Sequence, residues 1–131
     1  MNIPNIYEIK KLLNVESLEA IEGQNFDGNA LKAILELWAK SADFDEKFYM
    51  SYYPDVADAV KSGLVSNARN HFIKYGYCEG RLPNLRGFKP GNYLKANNEI
   101  LNDLGRNPSK KKLIDHYVYV GFKEGRTYDV K

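Results

Sequence analysis

One short string is written twice in this chain, and its recurrence constrains the fold more than any other feature. Residues 75–81 read YGYCEGR and residues 120–126 read VGFKEGR, so Gly, Glu, Gly and Arg return after 45 positions. Upstream, Phe44 matches Phe88 at an offset of 44. Periods of this length are typical of helical units that stack on one another. The sequence therefore predicts two tandem repeats, which span residues 44–83 and 88–128.

Apolar residues within each predicted repeat recur with the spacing of a helix. Phe48, Tyr49 and Tyr52 share one helical face, and Val56 begins a second stripe. The third stripe is present in both copies: Ala68, Phe72 and Tyr75 in the first, Leu113, Tyr117 and Val120 in the second. No alternating pattern of useful length predicts a strand. We therefore expect an all-α fold in which these stripes face the core.

Glycines and helix-start residues predict where the short helices begin and end. Gly76 and Gly121 follow the third stripe directly, so each is predicted to stop a helix in the left-handed conformation that glycine adopts at little cost. Gly63 is predicted to stop the middle helix of the first copy. That helix is expected to begin at Pro54, whose φ suits the first helical position, whereas Asn97 is the expected N-cap in the second copy.

Residues 1–43 precede the repeats and carry apolar stripes of their own. Two stripes are short: Ile6, Ile9, Leu12 and Leu13, then Leu18 and Ile21. A stronger one follows: Leu31, Ile34, Leu35 and Trp38. Two repeats alone would expose an apolar end. We therefore expect residues 1–43 to form a helical cap, and the whole chain, 1–131, to form one compact domain.

The two copies resemble a bacterial tandem helical repeat of the form Tyr-Leu-x-x-Asn-Pro-Asp-Val, then a spacer, then His-Tyr-x-x-x-Gly-x-x-Glu-Gly-Arg. The first copy matches at Tyr49, at Pro54-Asp55-Val56 and at His71, and both copies end on the Glu-Gly-Arg string. Repeats of this form resemble accessory segments of haemolysin-type secreted proteins and of polypeptides that carry glycosyltransferases. The resemblance covers roughly Phe44 to Tyr128 and implies no catalytic role.

Two interpretations of the repeated string remain open. As structural punctuation, its arginines reach free carbonyls at a helix end, while its glutamates pair with them or with an adjacent unit. As a ligand surface, its rings form a platform with planar charged groups at the rim, as in carbohydrate sites. The residues of this candidate surface are Tyr77, Glu79, Arg81, Phe122, Glu124 and Arg126.

Two further features are candidate sites. Lys110, Lys111 and Lys112 stand in the expected first turn of the last helix, where a solvated face is the simpler interpretation and an anion site the alternative. His71 and His116 occupy equivalent positions. Because no further histidine exists to complete a metal site, we expect each to perform the same packing role, with a hydrogen bond across a helix contact.

Composition excludes several classes of function. The net charge of +2 argues against nucleic acid, and the single Cys78 excludes an internal disulfide and a thiolate zinc site. No apolar run is long enough to span a membrane, and no secretory signal precedes the domain, so we expect a cytoplasmic protein. No nucleotide, hydrolase or metalloprotease motif is present. We expect a non-catalytic module without cofactor or metal that binds a protein. A glycan-binding accessory module is the alternative, and a small enzyme is a more remote one.

Overall fold

The computed structural model describes residues 5–17 and 19–128. Over these ranges the chain is all-helical, with eight α-helices and no strand, which confirms the predicted all-α domain. The α-helices are α1 (Ile6–Leu13), α2 (Gly28–Lys40), α3 (Glu46–Tyr52), α4 (Pro54–Lys61), α5 (Ala68–His71), α6 (Pro90–Ala96), α7 (Leu101–Leu104) and α8 (Lys110–His116). Short 3₁₀ turns occupy Glu19–Ile21 and Asn98–Ile100. Two π-helices, Phe72–Gly76 and Tyr117–Gly121, directly continue α5 and α8.

Side-chain caps and prolines fix where these short helices begin. The caps of α2, α3, α5 and α8 accept backbone N–H bonds through their side chains: Asp27, Asp45, Asn67 and Ser109. Pro54 opens α4 as predicted, and Pro90 opens α6. Asn97 does precede a helical turn, but its side chain makes no capping bond there. The predicted cap chemistry at Asn97 is therefore wrong.

The core is built mainly from aromatic rings and branched aliphatic side chains. The largest fully buried side chains are Tyr49, Tyr93, Phe72, Ile100, Val56 and Val118. The third stripe of each segment is only partly buried, because Tyr75 is 53% exposed and Val120 is 39% exposed. The stripe prediction is thus wrong at its last position. An α-helical spacing does not continue through a π turn, which contains more residues per turn.

The N-terminal helices are less buried than the sequence predicts. Helix α2 packs against α1 and against the π-helix Phe72–Gly76, and Ala39 is its buried residue. A cap that covers the repeats should bury its apolar stripe, but three residues of the stripe are largely exposed: Leu31 (54% exposed), Leu35 (41%) and Trp38 (36%). Leu18, which was assigned to a shorter stripe, lies outside the described residues.

None of the helices in the described ranges combines the length and apolar character needed to cross a bilayer.

Candidate functional site

The repeated string forms a helix end, although not at the glycine that the sequence suggested. Gly80 has a φ of +75°, its N–H bonds to the Tyr77 carbonyl, and the Arg81 N–H bonds to the Gly76 carbonyl. These two bonds define a Schellman motif with glycine at the C′ position. The second copy repeats both bonds, with Gly125 at a φ of +70°. The second glycine of each string is therefore the left-handed one.

Gly76 and Gly121 serve a different purpose, and the prediction that they are left-handed is wrong. Both are buried at the end of a π-helix, and a Cβ on Gly76 would stand 2.0 Å from the Tyr49 hydroxyl. On Gly121 it would stand 2.1 Å from the Tyr93 hydroxyl. Each glycine thus makes room for a tyrosine hydroxyl from a neighbouring helix.

Each of these tyrosines is hydrogen-bonded to a histidine. The Tyr49 hydroxyl lies 3.0 Å from His71 Nδ1, and the Tyr93 hydroxyl lies 2.7 Å from His116 Nδ1. Burial raises the pKa of both hydroxyls, so each remains protonated and can donate to a neutral imidazole. Burial, followed by the nearby Arg81 charge, lowers the pKa of His71. The predicted packing role of the histidines agrees with this geometry.

Arg81 joins the helix end to the start of α4. Its terminal nitrogens donate to both oxygens of Asp55 at 2.8 and 2.7 Å, and its Nε donates to Glu79 at 2.8 Å. The guanidinium also lies 5.0 Å from the centre of the Tyr53 ring. The pKa of Asp55 is below its usual range because the carboxylate accepts these bonds. The expected pairing with Glu79 is present, but the side-chain bonds of Arg81 go to carboxylates and not to helix-end carbonyls.

Arg126 makes the corresponding contacts in the second segment. Its Nε donates to Glu124 at 2.6 Å, and one terminal nitrogen contacts both Glu99 and the Asn97 side-chain oxygen. The Asn97 amide donates in turn to the carbonyls of Tyr93 and Thr127. These bonds explain why Asn97 is buried although it is polar.

Two clefts lie where the first segment (44–83) meets the second (88–128). The ring cleft has a volume of about 410 Å³ and is lined by Ala42, Asp43, Leu82, Pro83, Asn84, Leu85, Arg86, Phe88, Tyr117, Phe122 and Tyr128. The tyrosine cleft has a volume of about 400 Å³ and is lined by Tyr52, Tyr53, Pro54, Asp55, Glu79, Gly80, Arg81, Val118, Tyr119 and Lys123. Buried Leu82 and Val118 lie at these clefts, so the two segments are in close contact there.

The six residues of the candidate surface do not line a common cleft. Phe122 lines the ring cleft, whereas Glu79 and Arg81 line the tyrosine cleft. The other three line neither: Tyr77, Glu124 and Arg126. The ion pairs bind each arginine within its own segment. The arrangement favours the structural interpretation of the string, while Phe122 remains a candidate ligand contact.

The lysine cluster lies where the sequence placed it. Lys110, Lys111 and Lys112 open α8 and are exposed, and Ser109 caps the helix by accepting the Lys112 N–H. Lys111 bonds to Asp115 at 2.6 Å, which raises the pKa of the amine. The helix is seven residues long, and its cap already satisfies one of the free N–H groups. The three lysines are thus exposed, and one of them is paired with an acidic side chain of the same helix.

The exposed side of α2 is the surface that sequence reasoning missed. Apolar spacing shows which face of a helix is apolar but not what covers it. Leu31, Leu35 and Trp38 follow one another at i, i+4 and i+7, so they form one ridge along a helix of 13 residues. A contiguous apolar ridge of this kind is a feature of interaction surfaces.

Among the residues that the structure describes, no group of three or more His, Cys, Asp or Glu side chains could hold a metal ion. Comparison with protein-family models, curated proteins and solved structures gave no match for this chain.

Proposed function

We propose that this chain is a non-catalytic helical module that binds a protein partner through the exposed ridge of α2. The observation that carries the proposal is the exposure of three large apolar side chains, Leu31, Leu35 and Trp38, on one face of the longest helix described. Leaving apolar side chains in water costs about 25 cal/mol per Å², so a surface that covers them gains that amount on association.

The shape of the ridge favours a grooved protein as the partner. Side chains at i, i+4 and i+7 project from a convex helix, and an amphipathic helix ordinarily inserts such anchors into an apolar groove. The three residues extend about 10 Å along the axis at 1.5 Å per residue. Trp38 lies at one end of the ridge, and tryptophan is among the residues that contribute most to binding at protein interfaces.

Binding can be tested with variants that leave the core intact. Protein captured from the source organism by the wild type would be purified, and its dissociation constant measured for the wild type, for the double variant Leu31→Ser/Leu35→Ser and for the control Lys32→Ser. Lys32 is exposed and lies on the same helix beside the ridge. We expect at least a tenfold loss for the double variant, about 1.4 kcal/mol, and none for the control. Equal loss in both variants, or no loss in either, would refute the ridge as the site.

The arrangement of polar groups supports a role without catalysis. Both histidines are bonded to buried tyrosines, and the carboxylates Asp55 and Glu79 are paired with Arg81. General acid or base catalysis needs a group within reach of a substrate proton and with a suitable pKa. These side chains are instead engaged in holding helices together.

We also propose that residues 44–83 and 88–128 are two copies of one helical unit, with residues 1–43 as a cap. Matched contacts support this: a tyrosine–histidine bond, a buried glycine beneath the hydroxyl, a Schellman turn and an arginine between two acidic groups occur in each segment. The resemblance to bacterial tandem helical repeats is part of this proposal.

A glycan-binding role is the second candidate, and the ring cleft is the observation that favours it. Phe88 and Tyr117 stack at 4.7 Å between centroids, and Phe122 is 39% exposed beside them. Asp43 and Arg86 form an ion pair at the rim. Titration with neutral oligosaccharides, followed by NMR, would show shifts at these residues that disappear in Phe122→Ala. Absence of saturable shifts in the wild type would exclude this role.

A further inference from the structure

One tyrosine of the second segment, which is 47% exposed, bonds directly to the first segment at the tyrosine cleft. The Tyr119 hydroxyl donates to the Tyr52 carbonyl at 2.6 Å, and its ring lies 6.0 Å from the Tyr52 ring and 6.4 Å from the Tyr53 ring. Val118, the residue before it, is 2% exposed. The π-helix of the second segment therefore engages a platform on the first, which is formed by Tyr52, Tyr53 and Pro54.

The equivalent positions of the second segment do not form such a platform. At an offset of 44, Tyr52 and Tyr53 correspond to Ala96 and Asn97. Asn97 is 5% exposed, and its side chain is bonded to Tyr93, Thr127 and Arg126 within its own segment. Two rings that could receive another tyrosine are thus replaced by a methyl group and an internally bonded amide.

The engaging residue is also specific to the second segment. At an offset of 45, Tyr119 corresponds to Lys74, which is exposed on the π-helix of the first segment. The two sides of the contact therefore differ between the copies. The first segment has the platform and carries Lys74 at the engaging position. The second segment has the engaging Tyr119 but lacks the platform.

We infer that the Tyr52–Tyr53–Pro54 platform and Tyr119 form a directional docking contact between units, and that Ala96 and Asn97 make the second segment a terminal unit that receives no further one. The inference rests on the proposed two-copy organisation and concerns a surface other than the α2 ridge. In stacked repeat proteins the terminal units differ in sequence from the inner ones, because no neighbour packs on their outer side.

The engaging residue can be tested in the full chain. Tyr119→Lys introduces the residue found at the equivalent position, Tyr119→Phe removes only the hydroxyl, and Val120→Lys is the control on the same π-helix. Hydrogen exchange read by mass spectrometry should show at least about a tenfold loss of protection in residues 88–128 for Tyr119→Lys and a smaller loss for Tyr119→Phe. Residues 44–83 and the control should remain protected. Unchanged protection in Tyr119→Lys, or an equal loss in the control, overturns the docking role.

The terminal role can be tested by adding a unit. A second copy of residues 88–131, joined after Lys131 through one added glycine, puts its phenylalanine seven positions beyond Arg126, which is the spacing between Arg81 and Phe88. We expect the added unit to exchange freely in the wild-type background and to become protected with Ala96→Tyr/Asn97→Tyr. The same double substitution in the 131-residue chain checks that the second segment still folds. Equal protection of the added unit in both backgrounds, or in neither, overturns the inference. Either result leaves partner binding by the α2 ridge unaffected.

Discussion

Replacing Gly76 by alanine should strain the core and not the backbone. The new Cβ would lie 2.0 Å from the Tyr49 hydroxyl oxygen, whereas non-bonded heavy atoms prefer separations of about 3.5 Å or more. Tyr49 cannot retreat, because it is fully buried and surrounded by rings. These rings belong to Phe44, Tyr53 and Phe72. Overpacking of this kind costs about 1–3 kcal/mol, and displacement of the hydroxyl from His71 adds about 0.5–1.5 kcal/mol.

The source of this cost can be isolated with a double-mutant cycle in urea. Tyr49→Phe removes the hydroxyl and should cost about 0.5–1.5 kcal/mol alone. Combined with Gly76→Ala it should relieve the clash, since the nearest ring carbon would then stand 3.2 Å from the new methyl group. We expect the double variant to be about 1–2 kcal/mol more stable than the sum of the single variants predicts.

Gly80→Ala is the matched control for backbone strain. No atom lies within 4 Å of its added Cβ, so its cost, about 1 kcal/mol, comes from the positive φ. This cost should add to that of Tyr49→Phe without coupling. If Gly76→Ala showed the same small cost and no relief by Tyr49→Phe, the close approach of the hydroxyl would not be the reason for glycine at that position.

Three further predictions concern stability. Arg81→Lys should lower the free energy of unfolding by about 1 kcal/mol, because a lysine ammonium lacks the planar pair of donors with which the guanidinium bonds both Asp55 oxygens. An unchanged urea midpoint would contradict this. Burial lowers the pKa of His71 in the folded chain, so the unfolded chain binds the imidazole proton more tightly. The free energy of unfolding is therefore unaffected by this histidine above about pH 6.5 and decreases as the pH falls below it. Thermal melts between pH 7 and 5 should therefore show a smaller decrease in His71→Gln than in the wild type, and equal decreases would exclude His71 as the cause. Leu31→Ser should change the free energy of unfolding by less than about 0.5 kcal/mol, because Leu31 is exposed. Ile100→Ala should cost about 2–5 kcal/mol, because Ile100 is 1% exposed. Similar costs for the two variants in urea would contradict the assigned burial.

Local helix signals could be predicted well from the sequence, because they depend on nearby residues. Apolar residues with helical spacing indicated the all-α class, and Pro54 marked the start of α4. Gly63 follows the end of that helix with a φ of +80°, as expected of a helix stop. In each case the backbone conformation is determined within one turn of the residue that signals it.

Features that depend on distant partners could not be predicted in this way. Glycine is required both where φ is positive, as at Gly80, and where another side chain approaches closely, as at Gly76. The sequence alone does not distinguish these causes, because the second one depends on Tyr49, which lies far along the chain. The bond between Arg81 and Asp55 spans 26 positions and has the same origin.

Burial of the N-terminal stripe shows the same limit. Leu31, Leu35 and Trp38 have the spacing of a core face, yet α2 packs on its neighbours through other parts of its surface. Periodicity specifies the direction in which apolar side chains project. Whether they are covered depends on how much of the remaining chain reaches them, which only the three-dimensional arrangement shows.

The two π-helices also give the chain a tolerance to changes in length. In each, the closing bond joins residues five apart, from Tyr77 to Phe72 and from Phe122 to Tyr117, where an α-helix would join residues four apart. Each π turn therefore contains one residue more than an α turn needs. Lys74 lies in the first of them with an exposed side chain, so its deletion would remove no buried group. A one-residue deletion can thus be absorbed inside a helix as a change of helical pitch, where a loop would ordinarily have to absorb it.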